Sequence, residues 1–195
     1  MKKFGDKIMR VISGVCKGRP LKAVPGMTTR PTTDKVKESL FNIIGPYFEG
    51  GEVLDLFSGS GSLGLEALSR GMEKGIFVEK DPKALQVIKA NIQACRMEEE
   101  SEVLRSDALR SVKTLGARGI QFSLILMDPP YKVANTIPAI LNEIEENHLL
   151  TKDGLIICEH GEELDLPEEV GVFVKYRQER YGITAISFYR HQDEA

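Results

Sequence analysis

Asp128-Pro129-Pro130-Tyr131 is the stretch of this sequence with the most specific chemistry, and it follows the apolar run Phe122-Ser123-Leu124-Ile125-Leu126-Met127. Proline fixes φ, keeps the preceding residue extended and removes an N–H donor, so the two prolines preset the direction of the neighbouring carbonyl. The Asp128 carboxylate and the Pro129 carbonyl then offer two acceptors on a stiff loop. Placed on the N–H bonds of a conjugated amine, they pull its nitrogen toward tetrahedral geometry and free the lone pair to attack an electrophilic methyl in line. No strong base is needed beforehand, because the amine becomes acidic only as it gains positive charge; Asp128 then stabilises that charge and can pass the proton on. Tyr131 is suited to stack on a flat ring, which is worth about 1–3 kcal/mol per base. The plainer alternative is a rigid turn in which Tyr131 covers the core.

A second group of residues has the spacing of a nucleotide-like cofactor site. Asp55-Leu56-Phe57 precedes the glycine loop Gly59-Ser60-Gly61-Ser62-Leu63-Gly64. Gly59 and Gly61 permit a sharp turn and close approach of backbone to ligand, and Gly64 permits close packing of the following helix on its strand. Glu79 lies about 20 residues beyond Gly59, the distance at which an acid can take both hydroxyls of an adenosine ribose. Asp107, with the Ala108 N–H beside it, suits an adenine amine and ring nitrogen, and Phe57 and Lys80 flank these tips. Such a glycine pattern alone also fits NAD enzymes or a ligand-free turn. Asp55, placed to hold a cationic amino group directly or through water, and a chain short for two mononucleotide halves plus a substrate domain favour S-adenosylmethionine.

The elements that must position these residues alternate. Short apolar strands are expected at Val53–Phe57, Gly75–Glu79, Val103–Asp107, Phe122–Met127 and Leu155–Glu159, with helices from the glycine loop to Arg70, from Lys83 to Arg96 and from Thr136 to about Leu149. Asp81-Pro82 supplies an N-cap and a first-turn proline. This alternation predicts an α/β fold with a parallel sheet covered on both faces and the acidic strand tips lining one crevice. Val172–Arg177 and Ile183–Tyr189 have too little chain between them for a helical crossover and are expected to close the sheet edge as an antiparallel hairpin. Before the sheet, Arg10–Ser13 and Leu21–Val24 are expected to form a small hairpin. Thr32-Thr33-Asp34 caps a helix ended by Gly45-Pro46.

The 195 residues suit one compact domain, read as a basic arm and helix over 1–45 and a catalytic domain over 46–195. Net charge is −3, but its distribution is uneven: ten basic residues stand against two acidic ones between Met1 and Lys37, about +8, leaving about −11 for the rest. A basic arm on an acidic body fits phosphate binding, with a solvated basic face as the alternative. No apolar run approaches the roughly 18 residues of a membrane span, and the N-terminus lacks the apolar stretch of a secretory signal. Cys16, Cys95 and Cys158 are far apart and show no paired ligand spacing, so free thiols, no metal and a cytoplasmic location are expected.

Together, Asp55-Leu56-Phe57-Ser58-Gly59-Ser60-Gly61 and Asp128-Pro129-Pro130-Tyr131 resemble a class I amino-methyltransferase. Arg30-Pro31-Thr32-Thr33-Asp34-Lys35-Val36-Lys37-Glu38-Ser39-Leu40-Phe41-Asn42, preceded by Arg10-Val11-Ile12-Ser13-Gly14 and Lys17-Gly18-Arg19-Pro20-Leu21, is narrower. It resembles the bacterial small-subunit ribosomal RNA guanine-N2 methyltransferase family over Met9 to Arg190. The resemblance implies a Rossmann-like class I fold with a seven-stranded sheet and methylation of guanine 966 of 16S rRNA, by the RNA's own numbering. It implies cofactor roles for Asp55, Gly59, Gly61, Glu79 and Asp107, and catalytic roles for Asp128 and Pro129, with Pro130 and Tyr131 completing the loop. Arg30-Pro31-Thr32 is implied near cofactor and RNA, and Arg10, Lys17, Arg19, Arg30 and Thr32 form the expected RNA-binding set. The expected partner is ribosomal RNA or a small-subunit assembly intermediate, met by a monomer.

Three other readings stay open: adenine-N6 or glutamine-N5 methylation by the same chemistry, an NAD-dependent oxidoreductase, and an RNA-binding module without activity. His148 and His191 are expected at surface or terminal positions and His160 in a structural role beside the pocket. Phe188 and Tyr189 are expected in edge-strand packing.

Overall fold

The computed structural model describes residues 9–26 and 33–192. Its centre is an eight-stranded sheet in the order β3-β2-β1-β4-β5-β8-β7-β6. The strands are β1 (Glu52–Asp55), β2 (Lys74–Glu79), β3 (Ser101–Arg105), β4 (Phe122–Met127), β5 (Leu150–Gly161), β6 (Glu169–Val170), β7 (Phe173–Tyr181) and β8 (Thr184–His191). β1 to β5 pair in parallel, and β8, β7 and β6 add antiparallel strands beyond β5. The helices are α1 (Asp34–Ile44), α2 (Ser62–Ser69), α3 (Pro82–Cys95), α4 (Ala108–Ala117) and α5 (Ile137–Glu146), with a 3-10 helix at Tyr131–Thr136.

Side-chain alternation along the strands makes this a three-layer body. On β4, Leu124 and Leu126 join Val53, Leu65, Phe77, Ile88 and Ile92 in a core under α2 and α3, where Val11, Leu21, Leu40 and Phe41 from the arm and α1 also pack. The intervening Ile125 and Met127 join Leu54, Val78, Val112, Ile140 and Ile144 in a core under α4 and α5. The chain turns outward in opposite directions from β1, toward β2 on one side and β4 on the other, so a crevice opens at the carboxyl ends of these central strands.

Among the described residues the sheet has eight strands where seven were expected. The extra one, β6, is two residues paired with β7, too short to show an alternating pattern. In place of two paired strands, the N-terminal segment makes a single antiparallel bridge between Arg10 and Pro20. Around it, Val11 N–H bonds the Arg19 carbonyl and Leu21 N–H that of Met9. Glycines at φ +84° and +79°, Gly14 and Gly18, turn the chain within that loop. α4 was not expected, although Asp107 caps it and Ala108, Ser111, Val112 and Leu115 form its buried stripe. β5 begins at Leu150 rather than Leu155, with a register irregularity opposite Phe122 and Leu124. β8 is an internal strand, so Phe188 and Tyr189 are fully buried core residues away from the edge.

Candidate active site

The strand tips converge as the topology requires. Asp55 from β1, Glu79 from β2, Asp107 and Ala108 after β3, Asp128 to Tyr131 after β4 and Glu159 of β5 line one cavity of about 640 Å³. Phe57, Gly59 and Lys80 line it as well.

The glycine loop is built by backbone necessity. Gly61 sits at φ +80° as the N-cap of α2, and Gly59 is also left-handed at φ +54°. A Cβ at Gly59 would meet nothing within 4 Å, so this glycine leaves space in the loop. At Gly64 a Cβ would come 2.5 Å from the Phe77 ring, so the close helix–strand packing is made with the neighbouring β2 and not only with the preceding strand. Glu79 holds the loop in place: Oε2 accepts from Gly59 N–H at 3.0 Å, and Oε1 from Lys80 and Asp81 N–H at 2.8 and 2.9 Å. Asp107 is exposed, and its Oδ1 accepts from Arg110 N–H at 3.0 Å as the α4 cap.

Asp55 has a different environment. Its Oδ2 accepts from Gly64 N–H at 3.1 Å, while Oδ1 is buried without a hydrogen-bond partner. Burial raises this carboxyl to about 7, with the Glu79 charge adding to the effect against the Gly64 N–H. Asp128 is pushed well above the usual carboxylate range, first by burial and then by the charges of Glu159 and Asp55. The cavity therefore holds two acids, Asp55 and Asp128, whose ionised forms are disfavoured until a cation or N–H donors arrive. Tyr131 is 52% exposed, so it is no cover for the core; its hydroxyl lies 3.4 Å from Thr184 Oγ1.

The arm reaches this cavity too. Met9, Ala23 and Val24 line it beside Ser60, Ser62 and Leu63. Asn91 of α3 fixes arm and loop together: its Oδ1 accepts from Lys22 N–H at 2.8 Å, and its Nδ2 donates to the Lys22 and Ser60 carbonyls at 3.0 and 2.8 Å. Glu66 of α2 accepts from Ile12 and Ser13 N–H at 2.8 and 3.0 Å and pairs with Arg70 at 2.8 Å and Lys37 at 3.4 Å. Lys37 Nζ also donates to the Arg10 carbonyl at 2.6 Å and to Ser62 Oγ at 2.9 Å. Lys37 was counted with the basic arm, but it is buried and its charge is spent inside the fold. Arg10, Lys17 and Arg19 are exposed, Arg10 paired with Asp34 at 2.9 Å. Arg30 and Thr32 lie outside the described residues.

Sequence reasoning missed Glu159, Asn91 and Glu66. Glu159 had a signal, since it is an acid at the end of an apolar strand like Asp55 and Glu79. Asn91 and Glu66 read as ordinary polar positions within helices. His160 has the structural role expected: it is buried, with its ring nitrogens held at 2.8 Å by the Gly161 carbonyl and the Ser187 hydroxyl.

Comparison with known proteins shows the family. The family model described as "Conserved hypothetical protein 95" matches residues 9–190. A Bacillus subtilis protein named "Putative rRNA methyltransferase YlbH" is 52% identical over 182 residues, 93% of this chain and 98% of the relative. Ribosomal RNA small subunit methyltransferase D of Escherichia coli is 31% identical over 188 residues, covering 96% of this chain and 92% of its own. A solved structure titled "Putative methyltransferase yhhF from Escherichia coli" superposes with a TM-score of 0.82 at 30% identity, covering 95% of this chain and 98% of that one.

Proposed function

The chain belongs to the conserved hypothetical protein 95 family, and from that premise we propose that it is an S-adenosylmethionine-dependent methyltransferase of ribosomal RNA. Its target in this reading is the exocyclic N2 amine of a guanine in the small-subunit RNA, guanine 966 in the family's usage. One observation carries the chemistry: Asp128-Pro129-Pro130-Tyr131 shares a single cavity with the glycine loop and Glu79. The relatives' names supply the RNA. They also favour methyl transfer over hydride transfer to a nicotinamide.

The residues present fit the cofactor. Asp55 Oδ1, buried and without a hydrogen-bond partner, suits the methionine ammonium, directly or through water. Glu79 suits the ribose hydroxyls, Asp107 and Ala108 the adenine, Phe57 and Lys80 the walls around them, and Gly59 and Gly61 give the loop its turn. When bound, S-adenosylmethionine supplies a methyl group on a cationic sulfur. The Asp128 carboxylate and the Pro129 carbonyl accept the two N–H bonds of the guanine amine, with Pro130 keeping the loop stiff. Tyr131, exposed at the mouth, stacks on the base and offsets the few kcal/mol needed to unstack it. A cation in the cavity opposes the burial and like charges that raise Asp128, so its ionised, accepting form is favoured when substrate and cofactor are both present. With the methyl group supplied in this way, Asp128 would accept the proton that the methylated amine gives up.

Residues 1–45 form the RNA-facing extension of the catalytic domain at 46–195, with Arg10, Lys17, Arg19, Arg30 and Thr32 contacting phosphate. That extension borders the cavity through Met9, Ala23 and Val24, which supports delivery of RNA to the same site. The protein acts in the cytoplasm, as a monomer, on ribosomal RNA or a small-subunit assembly intermediate. No helix among the described residues is long and apolar enough to cross a membrane. Mass-spectrometric mapping of modified nucleotides in small-subunit RNA, with and without the gene, tests the proposal. It predicts loss of one N2-methylguanine on deletion; an unchanged modification map would reject it.

A further inference from the structure

The loop Asp128-Pro129-Pro130-Tyr131 accounts for an amine but does not choose among amines. Guanine, adenine and cytosine all present one on the Watson–Crick edge. The choice needs a second polar group beside the first, and the sheet provides one. β4 and β5 are parallel and in register, with Leu126 beside Ile157 and Met127 beside Cys158. One residue further along both strands places Asp128 beside Glu159. Lateral neighbours in a parallel pair point to the same face, on strands about 4.8 Å apart. Both residues line the cavity, and both are half-buried. Their proximity is also felt electrostatically, since the Glu159 charge follows burial as the main cause raising Asp128.

Two acceptors side by side match one base edge. Guanine presents the N2 amine next to the N1–H, two donor groups in a row. Adenine presents its amine next to the bare N1 lone pair, cytosine its amine next to the bare N3 lone pair, and a glutamine amide has no second donor group beside its amine. With any of these, a carboxylate in the second position would face a lone pair or nothing. That is both a lost hydrogen bond and a repulsive contact, and a polar site discriminates most strongly in this way. We infer that Glu159 is a specificity-determining residue that accepts the N1–H of the target guanine while Asp128 and the Pro129 carbonyl hold its N2 amine. This rests on the guanine-N2 reading and deepens it: the edge is read by two acids from neighbouring strands.

The test replaces the target nucleotide in small-subunit RNA by 2-aminopurine, which keeps the N2 amine but carries a lone pair at N1. The full-length wild-type protein is expected to methylate guanine with a kcat/KM roughly 10–100-fold above that for 2-aminopurine. Glu159→Gln is expected to remove much of this preference, because its amide can donate to the bare N1 of 2-aminopurine and still accept from the guanine N1–H through its oxygen: turnover on 2-aminopurine rises relative to guanine. 2-Aminopurine fluorescence gives a readout besides activity, with Glu159→Gln expected to draw the base into the site more tightly than the wild type. Unchanged S-adenosylmethionine affinity and melting temperature would separate this role from a structural one. If Glu159→Gln does not fold, Glu159→Asp and the wild-type preference carry the test. Equal wild-type turnover on both RNAs, or a guanine preference undiminished in Glu159→Gln, overturns the inference. Turnover on neither RNA by the wild type overturns the guanine-N2 reading itself.

Discussion

Two clusters of acids shielded from water, one under the arm and one in the cavity, are treated in opposite ways. Under the arm, Glu66 is fully buried, yet its charge is matched: Lys37, Arg70 and the N–H groups of Ile12 and Ser13 surround its carboxylate. In the cavity, Asp55 keeps one buried oxygen without a partner, and Asp128 sits against Glu159 and Asp55 with its carboxyl pushed far up. A matched buried charge serves the fold, because removing either partner strands the other. An unmatched one costs stability in the empty protein and is recovered only when a ligand brings the missing charge or donor. The two clusters differ in this way within one three-layer body.

Substitutions at the two regions should therefore give different kinds of defect. Glu66→Ala leaves Lys37 and Arg70 buried and unpaired, and a loss of about 3–5 kcal/mol in urea denaturation is expected. A loss below about 1 kcal/mol would show that solvent reaches the cluster and that the contrast is overdrawn. Asp128→Ala should leave stability and S-adenosylmethionine affinity nearly unchanged while lowering kcat by on the order of 10²–10³, read in single-turnover assays. Loss of cofactor binding together with turnover would place Asp128 among the cofactor residues instead.

A smaller effect concerns pH. The Asp55 carboxyl ionises near 7 in the folded protein against 3.8 ordinarily. Its contribution to the stability of the ligand-free protein is thus present below about pH 4 and lost as pH rises through 7. Affinity for the cationic cofactor runs the other way, rising with pH up to about 7 by as much as about tenfold per unit and then levelling. Titration calorimetry across that range should show the rise, and Asp55→Asn should remove much of it; the same profile in the variant would exclude Asp55 as its source. The smallest change is expected from the exposed cation Arg19. Arg19→Ala should weaken RNA binding a few-fold and reduce the salt slope of log K by about 1, whereas unchanged binding across salt concentrations would remove Arg19 from the interface.

The strand tips and the glycine turn were readable in the sequence because glycine, proline and strand-end acids are constrained by local geometry. Gly61, Glu79 and Asp128 stand where their spacing placed them. Features that depend on pairing across the fold were hidden. Lys37 reads as one more basic residue of an RNA-binding arm, and only its three-dimensional meeting with Glu66 and Arg70 reveals a buried clamp. Glu159 gains meaning only from the β4–β5 register that sets it beside Asp128. α4 was missed although Val112 and Leu115 give it an amphipathic stripe, and β6 because two residues carry no period.

The account turns on what the cavity's acids are for, and transfer of an isotopically labelled methyl group from S-adenosylmethionine to small-subunit ribosomal RNA by the purified protein tests this most directly. After nuclease digestion, the label is predicted in N2-methylguanine at a single position with the wild type and is nearly absent with Asp128→Ala. Label on a different base, or equal label with Asp128→Ala, would contradict it.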